Sequence, residues 1–540
     1  MTFLPLRRIA PRHAAQYAAA SAALCLCAAV ALAFLLPLAA ALLPAIRTPD
    51  TGAADSGGTM AILKTVRYTL AEALASTALA AAAGLAAAFF VARRQFPGRK
   101  LLASFASVPL CIPPLIMALG YISAFGMAGC LNKALQHIFS LQEAPLTFLY
   151  SFWGIVIVQG FYNFPLVMMT VADTWAQLGS DQADSARILG ASERRIFLTV
   201  TLPQLLPAII SACIPVFLYC FFSFMIVLLF GATGGTTLEV AIYHAGRSTL
   251  HFRTAAQLAL VETACAFCVL LAYASAEKKA ARAKGLSFCG TEPRKRIQAA
   301  EAVPTLGCLL LLGLFFLLPL ISIALSSCRI AVWRRLLAMR GFFPALRNTM
   351  CTALLTASIC TITGFSYAAF LRLRDPSGEH PLLKTIPLAP MAVSSVVMGI
   401  GMTALVRRGN VASLVLAQAA LTWPFAFRQM YTPLSKIPQD TLDAARMLSP
   451  RRLDCVFSVL LPYGRSGILS AAGFCFAVSA GDASLPLVLA IPRFDTLSLF
   501  VYRLAGSYRV DEACAAGLLL GILCMAVFNV SNRLKERRLR

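Results

Sequence analysis

The chain has 540 residues, of which 59% are apolar and only 13% are charged, and its net charge is +24. An ordinary soluble domain has about 45–50% apolar and about 25% charged residues. This balance excludes a soluble globular enzyme and a disordered chain. It also argues against a nucleic-acid-binding protein, because the basic residues lie between long apolar runs rather than on one patch.

Twelve runs of mostly apolar residues are long enough to cross a bilayer as helices, which requires about 20 residues each. The runs are continuous and lack a period of two residues, which indicates helices rather than a barrel. In chain order they cover roughly 18–44, 68–92, 102–126, 147–172, 205–230, 254–275, 303–326, 347–371, 385–406, 411–427, 466–490 and 511–531. The sequence therefore predicts an all-α polytopic membrane protein with about twelve transmembrane helices.

The lysines and arginines of the loops predict the orientation of these spans. With both termini inside, the inside segments carry 31 of these residues and the outside segments carry 16. The excess of positive charge places both termini in the cytoplasm. The outside loop 327–347 has five arginines and departs from the rule.

The 17 cysteines and five histidines are scattered along the chain, many of the cysteines inside the apolar runs. Cysteine in an apolar helix is usually a small packing residue. We therefore expect neither a disulfide framework nor a metal site.

Two loops far apart in the chain match at a constant offset of 259 residues: Ala183–Pro203 and Leu442–Pro462. The same offset relates Tyr243 to Tyr502, and an earlier pair of segments, which opens with Arg67 and Arg347, matches at an offset of 280. An ungapped register of this length indicates an internal duplication. We predict a first six-span half over 1–275, a basic cytoplasmic linker over 276–302 and a second six-span half over 303–540. Because each half has an even number of spans, the repeats are parallel.

Each copy of the duplicated loop lies inside by the charge count. In the first copy, residues 181–189 and 192–201 read as two short amphipathic helices separated at Gly190, because glycine accepts the left-handed geometry that ends a helix. In the second copy the break falls at Ser449-Pro450, where serine favours an N-cap and proline a first helical position. The next spans should begin near Pro203 and Pro462. The alternative is an ordinary surface helix in each loop.

These loops resemble the cytoplasmic loop of ATP-binding-cassette (ABC) importer permeases, in which a Glu-Ala-Ala motif precedes a glycine and the segment ends in Leu-Pro. This chain has Asp in place of Glu in both copies, Ser185 in place of an alanine and Ser449 in place of the glycine. The resemblance implies that each loop docks on an ATPase subunit. The residues that match the motif are Asp184, Ala186, Gly190, Leu202, Pro203, Asp443, Ala444, Ala445, Ser449, Leu461 and Pro462.

Among permeases with two fused halves, several stretches are most similar to the thiamine permeases, including 94–99, 236–243 and 479–482; the ferric-iron permeases come second. The resemblance implies an inner-membrane subunit that moves thiamine or its phosphates by alternating access. It implies as partners two copies of a cytoplasmic ABC ATPase, an extracytoplasmic substrate-binding protein and membrane lipid, with no nucleic acid.

No Gly-x-x-x-x-Gly-Lys-[Ser/Thr] motif occurs in the chain, so the sequence has no loop of this kind to cradle ATP phosphates. We expect no catalytic residues and no cofactor bound by this chain, and ATP to be used by the partner ATPase. The rival interpretation from another class is a secondary transporter driven by an ion gradient, which also can have parallel six-span repeats. A membrane-embedded enzyme has no supporting constellation of residues.

Polar residues inside predicted spans are candidates for a translocation path. Asp482 lies within the eleventh run and Glu262 within the sixth, where a carboxylate is costly unless it faces a cavity or a polar partner. The alternative for each is a structural polar contact between helices. Segments 231–247 and 490–506 form an outer gate, a docking surface or simple connections. The remaining candidates are Ser223, which aligns with Asp482, Glu239 in segment 231–247, and the aromatic residues Tyr219 and Phe222.

Overall fold

The computed structural model describes residues 9–47, 56–96, 98–99, 102, 112–179, 181–231, 235–284, 295–296, 299–375, 383–384, 386–406, 408–449 and 451–537. Within these ranges most of the chain is helical. The α-helices are α1 (Ile9–Arg47), α2 (Ser56–Arg93), α3 (Pro114–Phe125), α4 (Cys130–Phe139), α5 (Phe152–Gln177), α6 (Asp181–Ile188), α7 (Glu193–Ile196), α8 (Leu202–Phe221), α9 (Met225–Phe230), α10 (Leu238–Tyr243), α11 (Phe252–Lys284), α12 (Ala299–Leu312), α13 (Leu318–Ser327), α14 (Ile330–Leu337), α15 (Phe342–Arg374), α16 (Ser395–Leu405), α17 (Val411–Ser435), α18 (Gln439–Leu448), α19 (Arg452–Cys455), α20 (Leu461–Gly481), α21 (Ser484–Leu489), α22 (Leu497–Gly506) and α23 (Val510–Arg537).

Shorter elements complete the described chain. Two 3-10 turns cover Phe148–Tyr150 and Ile386–Ala392, and two-residue strands β1 (Arg94–Gln95) and β2 (Lys295–Arg296) pair in parallel. Four π-helical turns cover Phe197–Thr201, His244–Ser248, Gly313–Leu317 and Val456–Leu460.

Within the described residues, 11 helices are long and apolar enough to cross a membrane. A bent pair, formed by the 3-10 turn Ile386–Ala392 and α16, raises the number to 12 when it is taken as one span, with a bend of 94°. This agrees with the twelve predicted runs and confirms the all-α polytopic fold. The predicted start of the third run lies mostly outside the described residues, because 103–111 are not described.

The two halves repeat the same local structure. The π-helical turns Phe197–Thr201 and Val456–Leu460 differ by 259 residues at both ends, and each joins a four-residue helix to a long span. The Leu238 N–H donates to Thr69 Oγ1 over 2.9 Å, and the Leu497 N–H donates to Thr349 Oγ1 over 2.6 Å. Thr69 and Thr349 are related by the offset of 280, so both sequence offsets meet in one contact. The parallel duplication is therefore visible in the backbone as well as in the sequence.

A three-helix core carries each repeat: α2, α5 and α8 pack together in the first, and α15, α17 and α20 in the second. Small residues allow the close approach. A Cβ at Gly84 would lie 2.6 Å from Val167 Cβ, and one at Gly364 would lie 3.0 Å from the Phe427 backbone nitrogen. Glycine at these two positions lets neighbouring backbones come together, as small residues commonly do in membrane helices.

Packing divides the chain into two compact units. One contains Met1–Leu43, Gly341–Phe500 and Ile522–Arg540; the other contains Pro44–Arg340 and Val501–Gly521. The predicted halves describe the sequence repeat, and this division differs from them at the helices that open each half. Helix α1 belongs to the unit of the second-half helices, and α12 and α13 belong to the unit of the first-half helices. Residues 285–294 and 297–298 of the predicted linker lie outside the described residues, and β2 pairs within its own unit with β1.

Candidate functional site

The first copy of the duplicated loop consists of α6, a turn and α7. Asp184 and Ala186 lie on α6, and the turn passes through Gly190 with φ of +82°, a conformation that favours glycine. The predicted break at Gly190 is therefore correct. The predicted helix over 192–201 is only partly correct, because α7 continues through the π-helical turn into α8 without a break. Leu202 and Pro203 are the first two residues of α8, and Pro203, which has no N–H to donate, lies where the π-helical turn passes into the α-helix.

The second copy has the same order of elements with a different turn. Asp443, Ala444 and Ala445 lie on α18, and the next residue after this helix is Ser449. Its φ is −146°, which is extended rather than left-handed. Helix α19 begins at Arg452, two residues beyond the predicted Ser449-Pro450 start; Pro450 itself is outside the described residues. Serine thus does not reproduce the glycine conformation, although the helix is interrupted at the same register.

Leu461 and Pro462 are the first two residues of α20, at the places that Leu202 and Pro203 take in α8. The α-helices α8 and α20 therefore begin next to the two prolines, as predicted, but the continuous helical spans that contain them begin earlier, at Glu193 and Leu453. Each span is joined through its π-helical turn to the short helix before it, so loop and span form one continuous helical segment.

Ion pairs hold the first loop together across its turn. Arg187 donates to Asp184 Oδ1 over 2.5 Å and to both carboxylate oxygens of Glu193 over 2.6 and 3.1 Å. These hydrogen bonds to Glu193 and Asp184 raise the pKa of the Arg187 guanidinium above its usual range. One arginine therefore ties α6 to α7, over the flexible backbone at Gly190.

In the second loop, single contacts made by different residues replace the bridge that Arg187 makes in the first. Arg446 pairs with Asp443 over 3.0 Å, within α18. The Ser449 hydroxyl donates to Asp454 Oδ2 over 2.6 Å and so connects the turn to α19. Arg446 also donates to the Leu373 carbonyl over 3.4 Å, which links α18 to the end of α15. Arg446 is the equivalent of Arg187 in the second loop. Instead of bridging the turn, it attaches the loop to a span.

Each loop exposes two large apolar side chains at the end of its first helix. Ile188 and Leu189 are each 87% exposed, and Met447 and Leu448 are each 89% exposed. The positions correspond at the offset of 259. The predicted loop residues do not include these four side chains, although the match of Leu189 with Leu448 at the same offset was a usable signal. Exposed apolar anchors on a short amphipathic helix are typical of a helix that docks in a groove of a partner.

The predicted fifth and eleventh runs are not continuous helices. Helix α8 ends at Phe221 and α9 begins at Met225; α20 ends at Gly481 and α21 begins at Ser484. Ser223 and Asp482 therefore lie at equivalent interruptions. A serine and an aspartate favour such positions because their side chains bond to nearby backbone groups. The runs 205–230 and 466–490 were predicted as single spans because an apolar pattern does not reveal a helix break of two or three residues.

Asp482 is engaged in hydrogen bonds with its own neighbourhood. Its Oδ1 accepts the N–H groups of Ser484 and Leu485 over 3.0 and 3.3 Å, and its Oδ2 accepts from Gln418 Nε2 over 3.2 Å. The first two bonds satisfy the start of α21. These bonds are a structural polar contact, one of the two alternatives that the sequence left open, and a place of Asp482 on a translocation path stays a prediction.

The other candidates are distributed over separate elements. Glu239 on α10 and Glu262 on α11 are buried, and these two helices pack together. Phe222 lies at the interruption after α8, with its ring centroid 5.4 Å from that of Phe221, and Tyr219 on α8 is partly exposed. Among the described residues, no group of three His, Cys, Asp or Glu side chains could hold a metal ion.

Comparisons with known proteins identify related transport proteins. The family model described as "binding-protein-dependent transport system inner membrane component" matches residues 80–332 and 381–540. The thiamine transport system permease protein of Brucella abortus is 26% identical over 532 residues, which cover 94% of this chain and 95% of the relative. The corresponding protein of Escherichia coli is 24% identical over 88% of this chain and 89% of its own length. A solved bacterial ABC transporter involved in import of the acidic polysaccharide alginate matches 44% of this chain and 94% of its own, at 15% identity and a TM-score of 0.35.

Proposed function

The chain belongs to the family of binding-protein-dependent transport system inner membrane components and is the permease of an ABC importer, and from this premise we propose that its cargo is thiamine or a thiamine phosphate. The observation that carries the proposal is the similarity to thiamine permeases over up to 94% of the chain, both fused halves included. Family membership argues against the secondary transporter driven by an ion gradient.

The proposed partners are two ABC ATPase subunits, one at each duplicated loop. Two features of the loops support this docking. Each presents an apolar pair that is at least 87% exposed, and each is continuous with a long span through a π-helical turn. Since the sequence has no P-loop, the ATP would be bound by the partners. No cofactor of this chain's own is required.

The proposed mechanism is alternating access. ATP-driven closure of the two ATPases would move α6 and α18 as rigid levers, and the π-helical turns would transmit the movement to α8 and α20. The free energy of ATP binding and hydrolysis would then shift the permease between its two access states through the loops, rather than act on the cargo directly. A substrate-binding protein would deliver the cargo on the outer side, with both termini of the permease in the cytoplasm.

The motif residues of the loops have different parts in this proposal. Asp184 and Asp443 hold the arginines that shape α6 and α18. The small side chains of Ala186, Ala444 and Ala445 keep these short helices narrow enough to enter a groove of the ATPase. Gly190 and Ser449 make the turns. Leu202, Pro203, Leu461 and Pro462 start the spans that move.

Transport in reconstituted vesicles tests the cargo. The permease is combined with its candidate ATPase and binding protein in proteoliposomes that contain ATP on the ATPase side, and uptake of radiolabelled thiamine is measured. We expect uptake that needs ATP hydrolysis, stops with a non-hydrolysable analogue and is competed by thiamine phosphates. ATP-dependent uptake of ferric iron without uptake of thiamine would contradict the cargo and leave the ABC permease intact.

A further inference from the structure

Gln418 is the centre of a complete hydrogen-bond network in the second repeat. Its Oε1 accepts from Ser479 Oγ over 2.6 Å and from Thr356 Oγ1 over 3.3 Å. Its Nε2 donates to the Ser479 carbonyl over 3.3 Å and to Asp482 Oδ2 over 3.2 Å. The amide therefore uses both donor hydrogens and both acceptor positions, and it joins α15, α17 and α20 at the middle of their packing.

Gln159 is the equivalent residue of the first repeat, at the offset of 259, and its network is missing. Gln159 is 1% exposed, and neither its Nε2 nor its Oε1 has a hydrogen-bond partner among the described residues. The sequence explains the loss. Cys220 stands where the second repeat has Ser479, and Ser223 stands where it has Asp482. The thiol is a weak donor, and the serine side chain is shorter than the aspartate that reaches Gln418.

The first repeat has instead a carboxylate on the neighbouring helix. Glu72 on α2 corresponds to Thr352 at the offset of 280, and it is fully buried. Ser76, the counterpart of Thr356, donates to Glu72 Oε1 over 3.0 Å and so is drawn away from the glutamine. The second oxygen, Glu72 Oε2, has no hydrogen-bond partner among the residues that the structure describes.

The two side chains lie in the same three-helix core. Asn163, one turn after Gln159 on α5, donates to the Gln159 carbonyl over 3.1 Å and to Cys220 Sγ over 3.5 Å. The Glu72 carboxylate interacts electrostatically with that same Cys220 thiol. Asn163 thus links the Gln159 main-chain carbonyl on α5 to Cys220, and the Glu72 carboxylate on α2 interacts with the same thiol.

A buried amide and a buried carboxylate oxygen without hydrogen-bond partners are costly, so a native core rarely keeps them dry. We propose that the first repeat encloses an ordered-water site between Gln159 and Glu72, in the place that the Asp482 carboxylate fills in the second repeat. Water suits this site because it both accepts from Gln159 Nε2 and donates to Gln159 Oε1 and Glu72 Oε2. A bare cation would leave the amide donor unsatisfied, and burial between three packed helices excludes a large cargo molecule.

Radiolytic hydroxyl-radical labelling tests the site, because radicals formed from a bound water oxidise the side chains next to it. Cys220 is 1% exposed, and Cys360 and Cys475 in the second repeat are fully buried as well, so they serve as matched controls. In the full-length protein in nanodiscs, we expect Cys220 to be oxidised several-fold faster than either control. Equal rates at the three cysteines would overturn the proposal.

Two variants locate the water. Ser223→Asp supplies the carboxylate of the second repeat, and Gln159→Leu removes the amide; each should bring the labelling rate of Cys220 down to that of Cys360. If Ser223→Asp does not fold, as judged by gel filtration, Gln159→Leu still decides the result. Fast labelling of Cys220 that neither variant lowers would place the water elsewhere and overturn the proposal. The labelling does not depend on any cargo, so this result and the thiamine result are independent.

Discussion

The two duplicated loops have the same order of elements but are stabilised by different contacts. In the first, Arg187 reaches across the turn to Glu193, and the turn itself depends on the left-handed backbone of Gly190. In the second, the turn at Ser449 is extended, its hydroxyl binds Asp454, and Arg446 is directed to the carbonyl of Leu373. Helix, interruption, helix and π-helical turn nevertheless fall at the same register.

This difference shows which properties of the loop the duplication has kept. The turn residue, the contact across the turn and the anchoring contact have all changed between the copies, although the ion pair Asp184–Arg187 recurs as Asp443–Arg446. The apolar pair at the end of the first helix, the junction with the π-helical turn and the Leu-Pro start of the next span have not. In the proposed docking, the unchanged features are the ones that would touch the ATPase or transmit its movement, whereas the changed ones only need to hold a short helix in place.

The largest effect should come from the exposed apolar pairs. Replacing Ile188 and Leu189 with Asp removes two side chains whose burial contributes at least about 3 kcal/mol, on the order of a hundredfold in Kd for the ATPase. Replacing Met447 and Leu448 with Asp should have the same effect at the second loop. The affinity of the purified permease for the ATPase, measured in nanodiscs by surface plasmon resonance, checks both.

All four residues are at least 87% exposed, so the variants should keep the thermal stability of the wild type. A matched control is Tyr508→Asp, since Tyr508 is 94% exposed but lies far along the chain from either loop. It should leave the affinity unchanged. Unaltered ATPase binding by both loop variants would remove the docking role of the apolar pairs.

A smaller, one-sided effect is expected at the turns. Gly190→Ala forces a side chain onto a backbone with φ of +82°, which costs roughly 1–2 kcal/mol, although its Cβ would meet no other atom within 4 Å. ATPase affinity should fall about tenfold, as 1.4 kcal/mol predicts. Gly190→Asn should recover most of it, because asparagine tolerates the left-handed region.

Ser449→Gly is the reciprocal change, and it introduces no backbone strain at φ of −146°. It removes the hydroxyl bond to Asp454 and the long bond of 3.4 Å that the hydroxyl accepts from the Arg451 N–H, so its effect should be the milder of the two. If Gly190→Ala binds the ATPase as tightly as the wild type, the left-handed turn is not needed for docking.

Much of this architecture follows from the sequence, because bilayer thickness and chain duplication impose strong patterns. The spans were predictable from run length, and the loops from a register that recurs after 259 residues. Interruptions of helices were less visible: the breaks at Ser223 and Asp482 lie within apolar runs, and hydropathy averages over them. The role of Asp482 was also undetermined, because a buried carboxylate in a span has the same sequence signal whether it caps a helix or meets a cargo.

The hydrogen-bond networks depend on helix rotation and could not be predicted. Gln159 and Gln418 occupy the same register, but only the structure shows that one is saturated and the other is not. The deciding substitutions, at Cys220 and Ser223, come from a different helix from the glutamine. A single sequence gives no indication of which side chains on separate helices share a partner.

The smallest effect on ATPase affinity should come from replacing the loop arginines, and its size should differ between the two loops. Arg187→Met breaks contacts with two carboxylates, and Arg446→Met breaks a contact with one. These side chains are partly exposed, so each pair contributes only about 0.2–1 kcal/mol. We expect a two- to fivefold loss of ATPase affinity for Arg187→Met and a smaller loss for Arg446→Met. Because salt screens exposed ion pairs, the difference between variant and wild type should shrink when affinities are measured at about 1 M rather than about 0.1 M KCl. A loss for Arg187→Met that is unaffected by salt would mean that this arginine contacts the ATPase directly instead of shaping the loop.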